Sequence, residues 1–578
     1  MLKKNDARAL MVLGTASHAG KSILTAALCR IFADDGYRVA PFKAQNMSLN
    51  SAATPDGREI GRAQALQAEA CRVPACAEMN PVLIKPSSDT GSQIVLLGRI
   101  WGQVTAANYH QRRVEELFPV VLESYRKLAS QYDLIILEGA GSPAEINLRE
   151  HDIVNMRMAH AAGAACLLVG DIDRGGVFAS LVGTLELLEP SDRALIRGYA
   201  INKFRGDISL LRPGLIMMEP RLKIPCVGVV PYLHDLGLDE EDGVAVEDRR
   251  SVGRVWRDVA TGAAPPLNPL LREAGSRAES SLLNREGSLV ENPLLNQDGN
   301  RVENPLLSEE GTKGWCSASQ ERRLRIAVIA LPHMANFSDF DALAAEPAAA
   351  LAFVDRPNDL SAADLVILPG TKQTLNDLEW LHQRGLVAPL FGHAEGGGCI
   401  AGICGGFQML GVKIDDPQGI ENHGVPCARQ GLGLLRMWTV LQPEKITRLA
   451  TGRLLRADIL GQHTRECTFR GYEIHVGETV YADETKPFAE ITRAGSSAVI
   501  ADGAVSADRR VFGTYIHGIF DDDNFRHAFL DAARAACGLA PHAAKAFFAA
   551  ERQSRLDRLA AHVRQALDLE MIRGWLHL

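Results

Sequence analysis

Cys404 stands in Gly402-Ile403-Cys404-Gly405-Gly406, where the apolar run Cys399–Ile403 stops and a helical pattern begins. A cysteine on a sharp strand-to-helix turn is a nucleophile held out for attack. Small neighbours permit the strained bend, and bulk at Gly402 or Gly406 would block it. The turn also sets the thiol beside the free N–H groups that open a helix, which favour thiolate over thiol and hold a developing oxyanion. Cys404 is therefore expected to be presented rather than buried, whereas Cys399, inside the apolar run, reads as a small core residue.

A second chemistry stands near the start of the chain. Gly14-Thr15-Ala16-Ser17-His18-Ala19-Gly20-Lys21-Ser22 follows an apolar strand and precedes the helical stretch Ile23–Phe32. That is the setting of a loop that cradles phosphates. Gly14, Thr15, Gly20, Lys21 and Ser22 are the expected nucleotide contacts: loop N–H groups point at the phosphates, Lys21 neutralises the β and γ groups, and the Ser22 hydroxyl ligates Mg²⁺. Five residues separate Gly14 from Gly20 where the strict motif has four, so the loop is a variant and does not by itself select ATP over GTP.

Both sites call for parallel sheets. Leu10–Leu13, Arg38–Phe42, Asp133–Leu137, Ala165–Val169, Tyr199–Asn202 and Cys226–Val230 read as buried strands alternating with helices, which predicts a doubly wound α/β fold. A second series begins at Leu324–Leu331 and continues through Leu365–Leu368 and Ile400–Cys404. At about 150 residues per domain, 578 residues suggest three or four units. The expected boundaries are a nucleotide domain over 1–250, a linker over 251–322, a cysteine domain over 323–540 and a C-terminal helix over 541–578. The linker carries a repeat beginning Asn268-Pro269-Leu270-Leu271, with further copies at Asn292 and Asn304. Its polar copies bury too little apolar surface to order themselves, so it is expected to be a flexible insert. In the last stretch Phe547, Phe548, Leu556, Leu559, Val563, Leu567 and Ile572 recur at near-helical spacing, the pattern of an amphipathic helix packed on a domain.

A formal charge of −8 offers no electrostatic reason to bind nucleic acid or an anionic membrane, which leaves a small-molecule substrate as the default. No apolar run approaches the length of a membrane span. The eleven cysteines lack paired metal-type spacing and read as reduced thiols of a cytoplasmic protein.

The phosphate loop resembles that of the dethiobiotin synthetase family, which activates carboxylates with ATP, and Asp133-Leu134-Ile135-Ile136-Leu137-Glu138-Gly139 resembles that family's acidic strand end. The resemblance implies ATP and a second Mg²⁺ contact at Glu138. Longer blocks are more specific. Phe42-Lys43-Ala44-Gln45-Asn46-Met47-Ser48-Leu49-Asn50, Asp171-Ile172-Asp173-Arg174-Gly175-Gly176, Asn202-Lys203-Phe204-Arg205-Gly206-Asp207, Gly471-Tyr472-Glu473-Ile474-His475 and Tyr515-Ile516-His517-Gly518 resemble the cobyric acid synthase family, glutamine-dependent amidotransferases of cobalamin biosynthesis. The match covers nearly the whole chain except the repeat insert and the final helix.

That resemblance implies a class I glutaminase domain that releases ammonia from L-glutamine. It also implies a synthetase domain that activates side-chain carboxylates of adenosylcobyrinic acid a,c-diamide with ATP and Mg²⁺ for amidation at positions b, d, e and g. Cys404 would be the nucleophile and His517 its base and acid, with Gly370, its neighbour Thr371 and Gly405 offering oxyanion N–H groups. Lys43, Gln45, Asn46, Arg174, Lys203 and Arg205 are candidate partners of the corrin substrate, and His475 either lines the glutamine pocket or sits in a core. One departure stands out: many class I glutaminases carry Glu two residues beyond the His, and here that residue is Ile519. Glu473 or Asp521 fills the orienting role through space, or the site is a dyad. Two other readings remain at this stage: the a,c-diamide synthase of the same pathway, and an ATPase whose cysteine domain only binds.

Overall fold

The computed structural model describes residues 7–86, 91–105, 113–233, 236–238, 322–422, 424–482 and 485–578. The repeat-bearing insert expected to be flexible falls, over 251–321, outside the described residues.

The six apolar runs of the N-terminal half all become strands of one parallel sheet, in the order Cys226–Pro231, Ile196–Phe204, Ala165–Asp171, Arg8–Gly14, Leu134–Glu138, Val39–Phe42. Their central residues are apolar because both faces are covered. Met11, Leu13, Ile135, Leu137 and Leu168 enter the core on one side, and their alternates Leu10, Val12, Leu134, Ile136 and Leu167 enter the core on the other. This topology brings the ends of neighbouring strands, Gly14, Glu138 and Asp171, to one edge, where open parallel sheets bind their ligands.

The second parallel series forms a six-stranded sheet ordered Ala349–Val354, Leu324–Ile329, Leu365–Leu368, Cys399–Ile403, Val511–Thr514, Ala504–Val505, with only the last pair antiparallel. Two further sheets, largely antiparallel but each with one parallel pair, have no counterpart among the apolar runs. Between Cys399–Ile403 and Val511–Thr514 the chain builds most of a seven-stranded sheet, dominated by the long pair Met437–Leu454 and Thr468–Tyr481 and ending at the short strand Ile516–His517. In the N-terminal half, Gln45–Met47, Val82–Pro86, Gly91–Leu96 and Arg99–Thr105 make a four-stranded sheet, and Ser51–Ala53 pairs with Glu59–Gly61. These strands are short or polar on alternate positions, so none carries a long apolar run.

The described residues within 7–238 and 324–578 belong to one compact unit. The end of the chain returns to its beginning: helices Phe548–Ala566 and Leu569–Leu576 bury Leu556, Leu559, Val563, Leu567 and Ile572 with Leu24, Leu28 and Ile31 of the helix Lys21–Asp34. Arg30 of that helix is itself buried and donates to Asp557 at 2.8 Å and to Gln553 at 2.7 Å. Phe547, grouped by spacing with the apolar face, is instead exposed. Among the described residues no helix is long and apolar enough to cross a membrane.

Candidate active site

The phosphate loop is shaped by contacts from the sheet edge. Gly20 caps the helix Lys21–Asp34 with φ 92°, a left-handed conformation that glycine adopts freely, and an added Cβ would lie 2.1 Å from the Asn202 amide nitrogen. Asn202 uses that nitrogen to donate to Ala19 O at 2.9 Å, and Lys203 donates to His18 O at 2.7 Å and to Asp171 at 2.9 Å. Thr15 N–H donates to Val169 O, and Gly14 lies under Lys21, whose Nζ donates to Ala16 O at 2.9 Å and Gly141 O at 3.1 Å. The Lys21 ammonium is thus held over the loop by carbonyls that anionic oxygens can replace.

Glu138 is the hub beneath the loop. It is buried rather than solvated, and accepts from Ser22 Oγ at 2.7 Å, Lys43 Nζ at 2.9 Å and Gln67 Nε2 at 2.6 Å. Ser22 and Glu138 offer adjacent hard oxygen donors, the kind Mg²⁺ takes in ones and twos while keeping its waters, so the pair fits that ion. Lys43 belongs to this cluster by its ion pair. Asn46 is buried and donates to Gln64 Oε1 at 2.9 Å, and Gln45 is buried beside it. Arg174 lies exposed in the turn before the helix Val177–Leu187, and Arg205 is committed to Asp173 at 2.9 Å and to the face of Tyr232 at 3.6 Å.

Cys404 sits at the expected strand-to-helix turn, between Cys399–Ile403 and Gly405–Leu410, with φ 51° and ψ −108°. A non-glycine residue held there costs about 1–3 kcal/mol. The turn is clamped by Cys404 N–H to Thr514 O at 2.8 Å and Gln408 N–H to Cys404 O at 3.0 Å. The glycine frame is required: a Cβ would lie 2.1 Å from Leu368 O at Gly406 and 2.5 Å from Leu410 at Gly402. The expectation of an open thiol is corrected, since Cys404 is only 6% exposed because the strand Thr468–Tyr481 crosses above it and Ile474 O accepts from Sγ at 3.5 Å. Cys399 is buried, which pushes its thiol up to about 11.

His517 is a hydrogen-bond partner of Cys404, and a Cβ at Gly370 would lie 2.7 Å from its Cε1, so Gly370 backs onto the imidazole. Gly405, next to Cys404, packs on Thr371: a Cβ there would lie 2.7 Å from Thr371 Cγ2 and 3.1 Å from its backbone nitrogen. The orienting carboxylate is neither Glu473 nor Asp521. It is Asp339, whose Oδ2 accepts from His517 Nδ1 at 2.6 Å and whose Oδ1 accepts from Gly518 N–H at 3.0 Å. Burial pulls an imidazolium down, but the Asp339 carboxylate and the Cys404 sulfur reverse this and raise His517 to about 10. A protonated imidazole beside the sulfur is the arrangement that makes a cysteine nucleophilic. Asp521 pairs with Arg62 at 3.5 Å, and Glu473 with Arg493 at 2.6 Å. His475 is buried, stacks on Tyr515 with ring centroids 3.8 Å apart, and lines a cavity of about 540 Å³ with Glu473 and Arg493.

Asp339 escaped the sequence reading because 178 residues separate it from His517. The only signal was an acidic residue soon after the first strand of the second series, at the carboxyl end of a parallel sheet. Under the glutaminase chemistry that the resemblance implies, Asp339→Asn is expected to lower kcat for glutamine hydrolysis by about 10²- to 10⁴-fold, since the buried imidazole loses its counter-charge and its tautomer control. Amidation driven by added ammonium should continue. Assaying one preparation with both nitrogen donors checks this, and unchanged glutamine hydrolysis would remove Asp339 from the machinery.

Comparison with known proteins agrees with this two-part layout. Residues 10–246 match the CobQ/CobB/MinD/ParA nucleotide binding domain family, and residues 325–525 match the CobB/CobQ-like glutamine amidotransferase domain family. The chain is 44% identical over 568 residues to a Photorhabdus laumondii protein named cobyric acid synthase, covering 97% of each chain. Proteins of the same name from Yersinia enterocolitica and Sorangium cellulosum are each 43% identical, again over 97% of each chain.

Proposed function

This chain belongs to the cobyric acid synthase family, and from that membership we propose that it converts adenosylcobyrinic acid a,c-diamide to adenosylcobyric acid, amidating the b, d, e and g carboxylates with ATP and L-glutamine. The reading is supported above all by one arrangement: a Cys404–His517–Asp339 constellation in the same compact unit as the Lys21, Ser22 and Glu138 cluster. Each half alone leaves the reaction incomplete. A carboxylate loses oxygen to an amine only after phosphorylation, and free ammonia is scarce at neutral pH.

On the cysteine side, Sγ of Cys404 attacks the glutamine side-chain carbonyl carbon. The oxyanion is received by backbone N–H groups at Gly405 and Gly370–Thr371. His517 gives its proton to the departing nitrogen as the C–N bond breaks, leaving a glutamyl thioester and ammonia. It then takes a proton from the water that hydrolyses the thioester, releasing glutamate and regenerating the thiolate. Asp339 keeps Nδ1 protonated throughout, so Nε2 is the nitrogen that exchanges protons with the substrate.

On the nucleotide side, the loop N–H groups and Lys21 hold the ATP phosphates. Ser22 and Glu138 would hold Mg²⁺, which when bound would neutralise charge on the phosphates. Lys43 holds Glu138 in place beneath the loop. A corrin side-chain carboxylate attacks the γ-phosphorus, ADP leaves, and ammonia displaces phosphate from the acyl phosphate. Lys43, Gln45, Asn46, Arg174 and Lys203 remain the candidates nearest the acceptor, and the cytoplasm, where ATP and glutamine are abundant, is the proposed location.

The test supplies the protein with glutamine, with and without ATP and the a,c-diamide, and follows glutamate, ADP and amide products together. Amide formation on the diamide, consuming ATP and glutamine, is expected. Amidation of cobyrinic acid at a and c instead would reassign the step, and glutamate release with no amide under any combination would defeat the proposal.

A further inference from the structure

We propose that the nucleotide half supplies positioning residues to the glutaminase: the segment Asn50–Ser51 holds His517 in its working orientation from two sides. This rests on the reading that Cys404 and His517 hydrolyse glutamine.

The first side runs through Asp339. Its carboxylate fixes His517, yet it stands on a short helical turn, Phe337–Phe340, entered through Asn336 at φ 54°. A single turn of this kind has little stiffness of its own. It is held from the other half of the molecule: Asn336 Oδ1 accepts from Ser51 N–H at 2.9 Å, and Ser338 Oγ donates to Asn50 Oδ1 at 3.1 Å. All four residues are buried, so these bonds are made without competition from water.

The second side runs through Tyr472. Its ring stacks on the His517 imidazole, with centroids 5.6 Å apart and planes 21° from parallel, and its hydroxyl donates to Ser51 O at 3.2 Å. Ser51 therefore uses its N–H for the turn that carries Asp339 and its carbonyl for the ring that flanks the imidazole. The segment is itself braced. Ser51 Oγ donates to Glu59 at 2.9 Å and accepts from Lys85 at 2.9 Å, while Lys445 of the glutaminase half reaches Glu59 at 2.5 Å.

Asn50 closes the Phe42–Asn50 block, which also carries Lys43, the partner of Glu138 under the phosphate loop. His517 is thus aligned by the half that consumes the ammonia it helps release. A glutaminase whose base is held this way works at full rate only with both halves docked, which limits wasteful hydrolysis.

Three variants of the full chain test this. Asn336→Gly removes the acceptor while tolerating the left-handed backbone, Ser338→Ala removes the donor to Asn50, and Tyr472→Phe removes only the hydroxyl. Each is expected to lower kcat for glutamine hydrolysis about tenfold, by loosening the geometry of a proton-transferring group. KM for glutamine and ammonium-driven amidation should hold, because neither glutamine binding nor acyl phosphate chemistry is touched. Tyr472→Phe, the mildest change, keeps the test open if a turn variant does not fold. Unchanged kcat in the folded variants, or a parallel loss of ammonium-driven amidation, overturns the proposal. The underlying assignment fails separately, if Cys404→Ala still hydrolyses glutamine.

Discussion

Cys404→Ala is expected to lose glutamine-driven amidation by about 10³-fold or more while amidation with a high concentration of ammonium proceeds at the original rate. The asymmetry follows from what the sulfur does. In the proposed mechanism it forms the thioester that frees ammonia and touches neither ATP nor the acceptor. Alanine also fits, since Cys404 lies at 6% exposure and the smaller side chain adds no bulk beneath Ile474. The measurement is product formation with each nitrogen donor on the same folded preparation. Equal loss with both donors would mean that the cysteine also serves the synthetase reaction, and the division of labour would have to be abandoned.

Lys21→Ala should fail with either donor, by about 10²- to 10³-fold in amide formation, because in the proposed mechanism its charge meets the phosphates in a buried, low-dielectric site. The substitution also frees the carbonyls of Ala16 and Gly141 that Lys21 now holds, so the loop loses its closing contact as well as its charge. ATP binding and ammonium-driven turnover are the two readouts. Glutamine hydrolysis measured without nucleotide should be spared, since Lys21 donates to the Ala16 and Gly141 carbonyls while His517 is oriented by Asp339. Normal ammonium-driven turnover in this variant would remove Lys21 from the site.

The two predictions rest on residues of different legibility. The loop from Gly14 to Ser22 and the turn around Cys404 are readable in the chain because their chemistry is local: a glycine at a left-handed or crowded position, the reactive residue beside it, and a helix starting at once. The apolar strands are readable for a related reason, since burial on both faces of a parallel sheet leaves continuous runs such as Leu10–Leu13. His517 and Glu138 were reachable only through family resemblance. Nothing in the few residues around either one distinguishes it from an ordinary strand-end side chain.

What the sequence by itself determined, then, was the list of reactive groups and the strands and turns that carry them, because backbone conformation and burial pattern are set within a few residues. Tertiary structure alone decided which groups meet. Asp339 rather than Glu473 or Asp521 faces His517, Lys43 turns onto Glu138, the last helices lie on the first, and Cys404 is covered by a strand from a largely antiparallel sheet that no long apolar run announced. Such meetings depend on the order in which strands assemble and on which half docks against which. Spacing along the chain carries no record of them, because contacts between distant residues are chosen by the packing of whole sheets.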